Sequence, residues 1–91
     1  MTTPKWLEPA AARSSQETWT LGHVLLQYRT KRNLTEEDLA RELETSVDTL
    51  RYLCLCRRPE GPELAQQLAT ITERFPVPAE KLEAILREIA G

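Results

Sequence analysis

No apolar run in this 91-residue chain approaches the length needed to cross a bilayer. Its opening, MTTPKWLEPAAARSS, lacks the apolar block of a secretory signal, so the expected location is cytoplasmic, with no membrane partner. Cysteine is scarce. Cys54 and Cys56, one residue apart, cannot readily bridge each other, and nothing implies an oxidising compartment. On a helix they would point to nearly opposite sides, and the lone His23 leaves them short of a closed zinc site. No metal and no cofactor is expected. Buried, reduced thiols are the simpler reading, a redox or metal switch shared across a dimer the alternative. The chain also lacks a glycine-rich phosphate loop and any HExxH-like spacing, so it does not read as an enzyme. Strand-like alternation and internal repeats are missing too, which leaves an all-α architecture.

What is present suits a single small globular domain: 41% apolar residues, 29% charged and only 5% aromatic. The net charge of −2 is uncomfortable for a nucleic-acid binder. Its distribution is uneven. Lys5, Arg13, Arg29, Lys31 and Arg32 make the part up to Asn33 positive, and the part after Arg58 is acidic. Such asymmetry fits either a binding side opposed to a partner-facing side or the ordinary scatter of charge on helical proteins.

Residues 1–17 hold Pro4, Pro9, Ala10–Ala12 and Ser14-Ser15, a composition that predicts an N-terminal arm rather than a long helix. Trp6-Leu7 within it should dock, either on this domain or on a second chain. The domain proper is expected over 18–91. Thr18 or Thr20 can cap a helix over about 19–32, with Leu21, Leu25 and Tyr28 as its stripe and Val24 alongside. Lys31 and Arg32 favour its C-terminal dipole, and Asn33 stands where a helix stops on Gly or Asn. Arg57-Arg58-Pro59-Glu60-Gly61-Pro62 must be a loop. Beyond it, Leu64, Leu68, Ile71 and Phe75 predict a fourth helix, ended by Pro76 and Pro78. Leu82, Ile85, Leu86 and Ile89 predict a fifth over 79–90.

The stretch TEEDLARELETSVDTLRYLCL, Thr35–Leu55, organises the rest. Leu39, Ala40 and Leu43 form the inner face of a short helix, and Leu50 and Leu53 that of the next. Thr35 with Asp38 makes a capping-box-like opening, and Ser46 can cap the second helix after the turn Glu44-Thr45-Ser46. Ala40 is small enough to let the two helices cross closely. Together these features read as a helix-turn-helix. With Leu21-Gly22, Leu25, Tyr28-Arg29, Leu34-Thr35 and Pro59 added, the chain from Leu21 to about Leu86 resembles a Cro-like (lambda-repressor-like, Xre-type) helix-turn-helix domain. It departs from that family at Cys54, where a Glu usually pairs with the arginine matched by Arg29. Cys56 and Glu44 replace usual glycines, and Thr45 replaces an apolar residue.

The resemblance implies a compact five-helix DNA-binding domain with an N-terminal arm, acting as a dimeric repressor or antitoxin-type autoregulator on an inverted repeat of double-stranded DNA. By position it assigns base reading to Val47, Asp48, Arg51 and Tyr52, with Leu55 at the margin. Arg51 suits guanine, Asp48 suits cytosine, and Val47 suits a thymine methyl. Phosphate contacts fall to Thr35, Ser46, Arg57 and Arg58. The fifth helix carries more apolar surface than a short terminal helix needs, so a homodimer through Leu82, Ile85, Leu86 and Ile89 is expected. Glu36, Glu37 and Asp38 read as dipole-stabilising residues of a helix N-terminus. The competing reading is a protein-interaction module on the same scaffold, engaging a partner through the acidic C-terminal half or Trp6-Leu7.

Overall fold

The computed structural model describes residues 4–90; residues 1–3 of the expected arm, and Gly91, lie outside the described residues. Among the described residues the chain is all-helical: α1 (Leu7–Ser14), α2 (Leu21–Arg32), α3 (Glu36–Glu42), α4 (Val47–Cys54), α5 (Leu64–Arg74) and α6 (Ala79–Ala90), with a 3-10 turn at Gly61–Glu63 before α5. One isolated antiparallel bridge, Thr20 with Arg57, replaces any sheet.

The helix ends follow local chemistry. Thr20, extended, accepts a hydrogen bond from the His23 amide and starts α2; Asn33 stops it in the left-handed region at φ 56°, ψ 50°. Thr35 and Asp38 form a complete capping box at the start of α3. Ser46 accepts from the Thr49 amide at the start of α4. Between α3 and α4, Glu44 sits at φ 56°, a conformation that usually falls to glycine.

One core unites the apolar stripes. Leu25, Tyr28, Leu39, Ala40, Leu43, Leu50, Leu53, Leu68 and Ile71 are all buried in it, together with Leu21, Val24, Val77, Leu82, Ile85 and Leu86. Gly22 shows why α2 and α4 approach so closely, since a Cβ there would stand 2.7 Å from the Cys54 carbonyl oxygen. On the far side, Arg32 forks onto Glu88 and lies 5.2 Å over the Tyr28 ring, tying α2 to α6.

Two expectations need correction here. The arm over 1–17 is in part a helix, because Pro9 falls in the first turn of α1, where no intrahelical amide donor is required. Leu7 and Ala11, one turn apart, are buried against the rest of the chain, so α1 is a sixth helix and not a loose lead-in. The dimer face is the second. Leu82, Ile85 and Leu86 are 0%, 2% and 3% exposed within the single chain, closing its own core beneath α6, so they present no surface to a second copy. Ile89 alone of that set is only partly buried.

Candidate nucleic-acid interface

The face assigned to base reading belongs to α4, and α1 packs directly on that helix. Three contacts hold it there. Ser14 Oγ at the end of α1 donates to the Cys54 carbonyl at 2.7 Å. Trp6 stands edge-on to the Tyr52 ring, centroids 6.2 Å apart. Glu8 lies 3.8 Å from the Arg51 guanidinium. Buried Thr20 closes the connection, its hydroxyl donating to the Ser14 carbonyl at 2.6 Å while it caps α2. The α3–α4 pair therefore comes with a covering helix, α1, that composition alone did not reveal.

Arg51 is already engaged. Its Nε and Nη2 donate to Glu36 Oε2 and Oε1 at 3.1 and 3.2 Å, a two-pronged contact from α4 to the first turn of α3. Those hydrogen bonds, Glu36 foremost, hold the guanidinium even more firmly in its charged form. With 18% of its side chain exposed, Arg51 is aimed along the protein rather than away from it. Asp48 adds to the same negative surroundings. Val47 packs partly against the core, and Tyr52 is half-buried under Trp6.

The four phosphate candidates divide. Thr35 is consumed by its capping box: its amide donates to Asp38 and its hydroxyl accepts from the Asp38 amide. That capping holds the Asp38 carboxyl below its usual range. The Ser46 hydroxyl accepts from the Thr49 amide and donates to Thr49 Oγ1. Arg58 Nη1 donates to the Thr18 carbonyl at 3.1 Å, with Glu60 3.9 Å from its Nε. Arg57 differs. Its side chain is exposed, and no carboxylate pairs with it among the described residues.

The departures at the cysteines are absorbed by packing. Arg29, with Cys54 standing where the resemblance expects an acid, donates from Nε to the Leu34 carbonyl at 3.3 Å. Cys54 and Cys56 are free thiols. Burial pushes Cys54 up to about 11 and raises Cys56 as well, so both stay protonated and weakly nucleophilic at neutral pH. Among the described residues no cluster of three or more His, Cys, Asp or Glu side chains could hold a metal. No described helix is long and apolar enough to cross a membrane.

From the sequence, Glu36 reads only as a dipole-stabilising residue, and nothing in it marks Glu8 for a role. The i, i+4 pair Leu7 and Ala11 was the available signal that a helix would carry Glu8 toward α4. No protein-family model, no curated protein and no solved structure matches this chain.

Proposed function

We propose that this chain is a helix-turn-helix transcriptional regulator, a cytoplasmic binding protein rather than an enzyme, that engages duplex DNA through α4. The observation that carries the reading is the α3–α4 pair itself. Ala40 is buried at 3% exposure on its inner face, the turn passes through a left-handed Glu44, and each helix begins on a side-chain cap. That combination supports the Cro-like, lambda-repressor-like resemblance, and on that reading α4 is the helix that reads bases. Its contacts are redistributed relative to the simple positional assignment: Asp48 faces bases with the exposed edge of Val47, Tyr52 is taken up by Trp6, and Arg57 meets phosphate. Arg51 fastens α4 to α3. A dimer on an inverted repeat pairs through the cleft shared by half-exposed Leu26 and Ile89, since the rest of the α6 stripe is internal.

One observation favours a second reading, the protein-interaction module. The Arg51 guanidinium is neutralised by Glu36 and Glu8, and α1 lies on α4. A positive stripe along α4 is thereby lost. Selection from random duplexes with the full chain decides between the two, followed by titration of an enriched site at two salt concentrations. An enriched inverted repeat whose affinity falls with salt supports the regulator. No enrichment and no duplex affinity at low salt supports the interaction module.

A further inference from the structure

A groove of about 350 Å³ lies between α5 and the segment after α4. Ile71 and Phe75 supply apolar lining, and Cys56 adds a protonated, weakly polar thiol. Arg57 and Arg74 also line it, one from each wall. Both side chains are exposed, and neither pairs with a carboxylate among the described residues. No acidic residue lines the groove, in a chain whose acidic residues outnumber its basic ones by 14 to 12. Gln67 accepts the Glu60 amide through its Oε1, which leaves its side-chain amide hydrogens as further donors.

We infer that this groove is a binding site for a small organic anion, a carboxylate with an apolar body of medium chain length. The volume is at the lower end of small-molecule sites, and the make-up is theirs: apolar lining with a few convergent polar groups. Guanidinium groups suit carboxylates because planar, charge-assisted hydrogen bonds match their geometry. A phosphodiester backbone fits less well, since it has no apolar body to cover Ile71 and Phe75. A cation is excluded by the two positive charges. Arg57 is shared with the phosphate contact proposed above, whereas Arg74, Ile71 and Phe75 belong to α5 alone, so Arg74 is the residue that tests this site separately.

The test is a titration of the 15N-labelled full chain, followed by two-dimensional NMR, with octanoate, 1-octanol and octylammonium in parallel. Octanoate should give saturable shifts confined to the backbone around Arg57, Gln67 and Arg74, with a Kd below about 1 mM. Octanol and octylammonium should not saturate there. Arg74→Gln, checked for an otherwise unchanged spectrum, should weaken octanoate by about tenfold. Equal response to octylammonium, or none to octanoate, overturns the proposal. A further arm uses a short peptide ending in a leucine carboxylate. Saturation by that peptide without saturation by octanoate would reassign the groove to a chain terminus and also overturn it.

Discussion

Arg51 on α4 grips Glu36 on α3 with two parallel hydrogen bonds, Nε at 3.1 Å and Nη2 at 3.2 Å. The contact ties the two helices together and occupies the one guanidinium carried by α4. Glu36→Gln should release the guanidinium at a stability cost below about 1 kcal/mol, because the pair is partly exposed. Duplex affinity should then rise, with a steeper dependence on salt, as one more cation reaches the backbone or a base edge. Fluorescence anisotropy at two ionic strengths measures it. Unchanged affinity in a variant that binds DNA would remove Arg51 from the interface altogether.

Leu7, fully buried, anchors α1. Leu7→Ala should cost about 2–5 kcal/mol, as for other buried leucines. A loose arm would show no change in a urea melt.

Gly22 sits at a close approach of α2 and α4, and Ala40 is buried in the core on the inner face of α3. Ala40→Leu should overpack the α3 crossing and cost about 1–3 kcal/mol. Gly22→Ala should cost a similar amount, since its Cβ would meet the Cys54 carbonyl oxygen at 2.7 Å, against backbone that cannot rotate away. Thermal melts equal to wild type would contradict either placement.

Glu44 carries the opposite sign. Its left-handed backbone, φ 56°, strains any residue with a Cβ. Its ion pair with Lys81, at 2.7 Å, is solvent-exposed on both sides and worth little. Glu44→Gly should raise stability by about 0.5–1 kcal/mol despite the added chain entropy. A lowered Tm would mean that the Lys81 contact outweighs the strain.

Burial, with the Glu42 hydrogen bond second, pushes the Tyr28 phenol from 10.0 up to about 12. The folded chain therefore keeps a proton that the unfolded chain releases. This contribution to stability is fully present below pH 10.0 and is lost as pH rises from there through about 12. Tyr28→Phe should be less stable at neutral pH, for want of the Glu42 bond, yet lose stability less steeply in the alkaline range. Urea midpoints across that range check it, and parallel slopes would argue against a buried, bonded phenol.

Local signals in the sequence determined most of the helices and the core. Leu21, Leu25 and Tyr28, or Leu39, Ala40 and Leu43, share a face whatever they pack on, because helical period is a property of the backbone. Thr35, Ser46 and Asn33 act on amides or backbone angles within three residues of themselves, so their roles were legible too. Tertiary structure decided what those faces meet. Pro9 looked like a breaker until its place in the first turn of α1 was known, and only the docking of Leu7 and Ala11 makes so short a helix stable. The α6 stripe could cover a second copy or its own core with the same residues; the path of the chain through Val77 and Pro78 brings it onto the core. Arg51 faced outward by position, but a long side chain goes to the best acceptor within reach. Glu36, fifteen residues away in sequence, came within that reach only when α3 and α4 packed together.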